Sequence, residues 1–416
     1  MKSVCLVVAL AALILSSCVS ELEPVATLNI NTDSLLAITT PIDSSSQSIV
    51  SGVYLVESSG NRFGDTVAVQ CIGSIVTIFT VKGVVYFAMR GGLKGDTLLL
   101  LGYWRGVRGP QTGVAKFVVR PDEGGSDLAN GKGNGKGLVL RGEIDVPESN
   151  QPEPLVLRKI EKAFERLRGF QIIAHRGGGR NSERLGASEN TIELVQLAPF
   201  FGATGIEIDI QSTKDGVAVV FHDPTFTSRT VRSPYLIGNV SNYTHKNLQT
   251  VARLIYGERI PTLEEVLTAT IDRTNLTFVW LDVKAPQLTD SIISIQKRAI
   301  EYARFKGRNI QIMFGIPDDD VLNAYRRSPL KGTVPVLCEL DVEIVRELDA
   351  KVWAPRFTLG IQKELVSQMQ KEGRDVYVWT LDDPAFMFEY LRDGDFDGIL
   401  TNYPTLLAAI FRTRIL

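Results

Sequence analysis

The chain has 416 residues, with 45 basic and 47 acidic side chains and a formal net charge of −2 at pH 7. It is 44% hydrophobic and 22% charged. These figures exclude general disorder, and the charge balance excludes a broadly basic surface that tracks nucleic-acid phosphates. A chain of this size divides into two domains, or one large domain with an appendage.

The N-terminus begins Met1-Lys2, continues through an apolar core from Val4 to Leu15, and ends Leu15-Ser16-Ser17-Cys18. One positive charge, about a dozen apolar residues and a small-residue ending predict a secretory signal over 1–17, too short for a comfortable membrane span. The LSSC ending resembles a bacterial lipobox. That resemblance implies cleavage before Cys18, a thioether lipid on its sulfur and a soluble body anchored in the cell envelope. Val19 after the cysteine favours the outer membrane, and the face, periplasmic or surface-exposed, stays open. With Cys5 removed and Cys18 acylated, only Cys71 and Cys338 remain. Both read as small buried hydrophobes, so no disulfide framework is expected.

Residues 18–47, rich in Ser, Thr, Pro and Asp, read as a lipidated tether. Residues 48–146 have a strand vocabulary. Short β-branched or aromatic runs at 67–71, 74–81, 84–89, 97–103, 114–119 and 138–146 are separated by Gly-rich turns. They predict a small antiparallel all-β domain, either a sandwich or barrel-like. The stretch 122–137 holds six glycines and reads as a flexible loop. Tyr103-Trp104-Arg105 reads as core packing with a turn arginine. Residues 147–169 form a linker in which Leu155, Leu157, Ile160, Phe164 and Leu167 predict a lead-in helix.

From 170 to 416 the grammar alternates strand with helix. Candidate strands are 170–174, 205–210, 278–283, 310–314, 334–338, 351–354, 376–380 and 397–401. Asn190 with Glu193 and Thr262 with Glu265 have capping-box spacing, and Asp383-Pro384 marks a helix start. Eight such units predict the α/β fold class, a (β/α)8 TIM barrel. A doubly wound sheet is the rival.

In such a barrel the polar strand ends share one mouth. The first strand ends His175-Arg176-Gly177. The second contains Glu207-Ile208-Asp209, with both carboxylates on one face by the two-residue period, and the third ends Asp282-Val283-Lys284. Thr213-Lys214-Asp215-Gly216 reads as a turn that brings His222-Asp223 back beside Asp209. Three carboxylates, Glu207, Asp209 and Asp282, suit one hard divalent cation, Ca2+ or Mg2+. Arg176 and Lys284 add positive donors for a phosphoryl group, and His175 and His222 divide the acid and base roles. A phosphodiester substrate follows. His245 and the acidic run 318–320 read as surface and helix-capping residues.

The motifs IIAHRG (172–177), ENT (189–191), GIEIDIQSTKDGVAVVFHD (205–223), LDVK (281–284), VWTLD (378–382) and DGILTNYP (397–404) together resemble the glycerophosphodiester phosphodiesterase family. The resemblance implies metal-dependent hydrolysis of small glycerophosphodiesters to sn-glycerol 3-phosphate and an alcohol. It matches His175 and His222 to a catalytic pair and Glu207 and Asp209 to metal ligands. Arg176 and Lys284 match phosphate contacts. Glu189 and Asn190 match a supporting element, and Trp379 is a candidate wall for glycerol or headgroup. Asp282 stands where the family has Glu. The alternatives are a phosphodiesterase for lysophospholipids or another polyol or sugar phosphodiester, and a lipid-anchored binding protein without turnover. The oligomeric state is left open.

Overall fold

A computed structural model describes residues 28, 30–58, 62–107, 111–147, 149–162, 169–233 and 235–413. The signal segment and Cys18 lie outside the described residues. Eight strands form the first domain: β1 (Gly52–Ser58), β2 (Thr66–Ile72), β3 (Ile75–Thr80), β4 (Val85–Lys94), β5 (Thr97–Gly106), β6 (Thr112–Val119), β7 (Val139–Ile144) and β8 (Glu153–Lys162). They pair antiparallel in chain order, and β8 returns to β1, giving a closed barrel rather than a sandwich. Side-chain alternation explains why this barrel has two apolar surfaces. Val67, Val69, Ile78, Phe87 and Met89 fill its own core, whereas Ala68, Phe79, Tyr86 and Ala88 belong to a core shared with the second domain.

Three expectations are corrected here. The lead-in helix over 155–167 is, as far as Lys162, strand β8. Leu155 and Leu157 are buried while Ile160 is 44% exposed, so the apolar period is two rather than 3.6. The helical reading weighed local spacing alone; strand pairing satisfies the edges of β1 and β7 that a helix would leave open. The tether also ends earlier than expected. Asp33–Leu36 and Ser44–Val50 are helical, the second capped by Asp43, whose Oδ1 accepts from the Ser46 amide at 2.7 Å. Ile42, Ile49 and Val50 join the small barrel's core, which ties this segment down. Likewise the glycine-rich stretch holds a helical turn, Gly125–Ala129, with Leu128 buried in the same core.

The second domain is the expected TIM barrel. Its strands are β9 (Gln171–Ala174), β10 (Gly205–Ser212), β12 (Phe278–Val283), β13 (Gln311–Ile316), β14 (Val336–Cys338), β15 (Val352–Trp353), β16 (Asp375–Val378) and β17 (Gly398–Thr401). All pair in parallel, and β17–β9 and β9–β10 pairings close the ring. The short β11 (Ala218–Val220) folds back antiparallel on β10, as the Thr213–Gly216 turn predicts. Cys71 and Cys338 are free and buried. No helix among the described residues is long and apolar enough to cross a membrane.

The two barrels share a continuous interior. The Tyr86 ring meets Phe201 edge-on at 5.0 Å, and the apolar helix Pro404–Thr413 packs against β2 and β3 as well as β9. Gly202 sits where this helix passes: a Cβ there would stand 2.6 Å from that of Ala408 and 3.0 Å from the Phe79 ring. Arg105 is no turn arginine. It is 1% exposed at this seam and donates to the backbone carbonyl of Arg184, in the loop after β9.

Candidate active site

Register builds the acidic centre. β10 pairs with β12 so that Asp209 lies level with Asp282, while Glu207 projects from the same face two residues earlier. One oxygen from each of Glu207, Asp209 and Asp282 lies within 4.8 Å of the others. Each carboxylate has one oxygen engaged: Glu207 Oε2 accepts from the Arg176 amide at 2.8 Å, Asp209 Oδ2 from Asn190 Nδ2 at 2.8 Å, and Asp282 Oδ2 from Lys284 Nζ. The second oxygens, Glu207 Oε1, Asp209 Oδ1 and Asp282 Oδ1, are buried and accept no hydrogen bond. Three convergent, unsatisfied anionic oxygens are costly in isolation and fit an oxygen-ligated divalent cation. Burial, together with the neighbouring Asp209 and Asp282 carboxylates, pushes the Glu207 carboxyl well above its ordinary range. Lys284 partly offsets that charge: its ammonium stands 3.5 Å from Asp209 Oδ1 as well as on Asp282.

Both expected histidines reach this centre. His175 follows β9, and its Nε2 stands 3.7 Å from Glu207 Oε2. His222 follows β11, with its Nε2 4.0 Å from Asp209 Oδ1. The outer nitrogens are held by hydrogen bonds. His175 Nδ1 meets Asn402 Oδ1 at 2.8 Å, and Asn402 Nδ2 donates to Asp382 Oδ2 at 2.7 Å. Because the amide nitrogen is committed to Asp382, Asn402 Oδ1 is an acceptor and His175 Nδ1 carries the hydrogen. His222 Nδ1 likewise meets Asp223 Oδ1 at 2.6 Å. Each Nε2 is thereby left with a lone pair aimed toward the acidic centre. Burial, reinforced by the Arg176 charge, holds His175 down at about 4, so it is neutral near pH 7. Burial pushes Asp223 up, but hydrogen bonds from His222 and Arg229 outweigh it and hold the acid at about 2.

The remaining expected residues have distinct places. Arg176, at φ 53°, donates from Nη1 to Glu189 Oε1 at 2.8 Å, and its buried Nε has no partner. Glu189 Oε2 accepts from Arg229 Nη1 at 2.9 Å and from the Asn181 amide at 2.9 Å. Arg229 also contacts Asp223 Oδ1 at 2.8 Å, so one chain of ion pairs runs from Arg176 to Asp223, which hydrogen-bonds His222. Asn190 does not cap a helix with Glu193. Thr191 is the cap, accepting from the Leu194 amide, while Asn190 turns to φ 61° and exchanges two hydrogen bonds with Asp209. Trp379 is half-buried; its Nε1 donates to the Ala354 carbonyl at 2.8 Å, and the Arg356 guanidinium lies 4.7 Å from its ring centre. His245 opens a short helix, half-buried with its Nε2 3.1 Å from Gln249 Nε2, and Asp318 caps the helix Asp319–Arg327 as expected.

Sequence reasoning missed Asn402, Asp382, Arg229 and Glu339. Glu339 follows β14, and burial, then the Asp282 carboxylate, pushes its carboxyl well up while Lys284 and Arg356 oppose that. A strand-end carboxylate was a usable signal for Glu339. Asn402 lies within the motif DGILTNYP, but its partner His175 is 227 residues away and the motif alone does not give it a role.

The Glycerophosphoryl diester phosphodiesterase family matches residues 175–406. A glycerophosphodiester phosphodiesterase of Caldanaerobacter subterraneus subsp. tengcongensis is 32% identical over 262 residues, 58% of this chain and 97% of the relative. One from Bacillus altitudinis is 26% identical, over 56% of this chain and 95% of its own. Among solved structures, an Oleispira antarctica phosphodiesterase in complex with the product sn-glycerol-3-phosphate is similar at 21% identity and a TM-score of 0.46, covering 57% of this chain and 94% of that one. With its model spanning more than half the residues, and a relative matched along nearly its whole length, the chain belongs to the glycerophosphoryl diester phosphodiesterase family.

Proposed function

We propose that the protein hydrolyses glycerophosphodiesters to sn-glycerol 3-phosphate and an alcohol, using one divalent cation, Ca2+ or Mg2+. Family membership supports the reaction class. The observation that carries the mechanism is the pair of imidazoles: each has its Nδ1 hydrogen fixed and its Nε2 turned to the same acidic centre. Glu207, Asp209 and Asp282 would hold the cation, which supplies positive charge for the non-bridging phosphate oxygens. Asp282, one methylene shorter than Glu, supports a looser hold. Lys284, and Arg176 once it shares its guanidinium with Glu189, bind the diester phosphate.

His175, neutral near pH 7, takes the proton from the attacking oxygen, either the glycerol hydroxyl next to the phosphate or a water. His222, oriented through its Nδ1 by Asp223, in its protonated form gives the Nε2 proton to the leaving alkoxide. Attack by the glycerol hydroxyl yields a cyclic diester that water then opens with the roles exchanged. A substrate lacking that hydroxyl yet cleaved at an unchanged rate would exclude the cyclic route.

Release of glycerol 3-phosphate from glycerophosphoethanolamine, with and without chelator, tests the reaction. His175→Ala and His222→Ala should each lower turnover on the order of 10²–10⁴-fold. Near-wild-type turnover in either variant, or full activity in chelator, would refute the assignment. We also propose that Cys18 is lipidated and anchors the protein in a bacterial envelope, which supports a membrane-derived substrate pool. The mass of the mature N-terminal peptide tests it: an unmodified Cys18 sinks the anchor.

A further inference from the structure

The segment 224–261, between β11 and the helix Leu263–Arg273, forms a separate lobe over the β10 side of the mouth. Phe226, Val231, Leu236, Val240, Leu248 and Leu254 form a small core with Val219 and Phe221 of the β11 hairpin, apart from the cores of the two barrels. Its charge departs from that of the chain. It holds five basic residues (Arg229, Arg232, Lys246, Arg253, Arg259) and one acid, Glu258, against a whole-chain net of −2. Arg229 faces inward to Asp223 and Glu189, and Glu258 is spent on Ser188, whose amide and hydroxyl it accepts at 2.9 and 2.7 Å. Arg232, Lys246 and Arg259 are exposed, and among the described residues none of them forms an ion pair. The lobe therefore presents uncompensated positive charge outward.

The same lobe carries large apolar side chains in water. Tyr235 is 93% exposed, Ile237 71% and Val251 49%. Hydrogen bonds tie together the segments that carry them. Tyr243 donates its hydroxyl to the Ile237 carbonyl, the Arg232 amide donates to the Arg253 carbonyl, and the Ser233 hydroxyl to the Val251 carbonyl. A soluble surface has no use for a tyrosine and an isoleucine projecting from a cationic lobe, and the combination fits a bilayer interface with anionic headgroups. Two further exposed apolar residues stand across the mouth: Leu359 (61%), after β15, and Phe386 (45%), in the first turn of the helix after β16. Segments that follow barrel strands lie on the face that holds the acidic centre.

We propose that the mouth face docks on an anionic lipid surface, with Tyr235 and Ile237 inserting at the interface while Arg232, Lys246 and Arg259 bind the headgroups. This contact is separate from any lipid on Cys18, and it does not depend on the proposed reaction. It places the active centre against the layer from which phospholipid-derived diesters are released.

The test is hydrogen exchange on the full chain, read peptide by peptide, with vesicles of phosphatidylcholine alone or mixed with phosphatidylglycerol. Because the readout is local, an N-terminal anchor does not mask it. The expected result is slowed exchange over 229–253 with the anionic vesicles only, reversed by raised salt. Tyr235→Ser with Ile237→Ser should abolish the protection, while release of glycerol 3-phosphate from a soluble diester stays unchanged. Arg232→Gln should weaken vesicle binding about fivefold, the contribution of one interfacial cation. Equal exchange with and without vesicles overturns the proposal, as does equal protection by pure phosphatidylcholine. Protection that appears without vesicles as protein concentration rises would identify a second copy of the chain as the occupant and overturn it too.

Discussion

Replacing Asn402 by alanine isolates what one amide does for the centre. The substitution removes the acceptor from His175 Nδ1 (2.8 Å) and the donor to Asp382 Oδ2 (2.7 Å). Asp382 Oδ1 keeps its bonds from the backbone amide of residue 402 and from the Thr401 hydroxyl, so the β17 end stays in place. A hydrogen bond between neutral groups contributes about 1 kcal/mol and one to a charged group about 1.5–3 kcal/mol. The Asn402 bond gains strength as His175 becomes an imidazolium in the proposed proton transfer. The barrier should therefore rise by about 1–2 kcal/mol, or roughly 5- to 30-fold in kcat, with KM little changed. The pH profile gives an independent sign. Burial and Arg176 lower the imidazole to about 4 and the Asn402 bond opposes them, so its loss lowers the pKa further. The acid limb of kcat/KM should move to lower pH. Glycerol 3-phosphate release across pH, with a thermal melt as control, measures both. A folded variant within about twofold of wild-type kcat, or an acid limb displaced upward, would refute the positioning role.

Asp282→Asn should weaken cation binding, seen as loss of the Tm rise that Ca2+ or Mg2+ gives the wild type; an undiminished rise would remove Asp282 from the ligand set. Burial pushes the Cys71 and Cys338 thiols up to about 12, above their ordinary 9.0. Neither should react with a thiol reagent at pH 8 until the protein is unfolded, and prompt labelling of the native form would contradict their burial. By linkage, their contribution to stability is full below pH 9.0 and declines as pH rises toward about 12. Gly202→Ala forces a Cβ to 2.6 Å from that of Ala408 at φ 84° and should destabilise by about 1–3 kcal/mol, read by denaturant unfolding. An unchanged midpoint would mean that the seam yields.

Legibility followed the range of the forces involved. All eight TIM-barrel strands could be read because a buried parallel strand is a short β-branched run, and the strand-end residues His175, Glu207, Asp209, Asp282 and Lys284 declared themselves by position. Thr262 and Glu265 formed their capping box because such a box is complete within four residues. The same spacing misled at Asn190, where the Asp209 carboxylate, 19 residues on, outcompeted the local cap. β8 was misread because closure with β1, about a hundred residues earlier in sequence, decides its conformation. Asn402, Asp382 and Arg229 act through partners that the fold brings to them; two of the three fall within the motifs VWTLD and DGILTNYP, but nothing local names those partners.

The helix Pro404–Thr413 is the last described element, yet both barrels lean on it. Neither barrel can shed its neighbour without baring the apolar side of that helix to water, so the solvent cost that holds each one together also opposes a hinge between them. The small barrel and the TIM barrel thus turn together, and the direction in which the acidic centre faces follows the placement of its β-stranded neighbour.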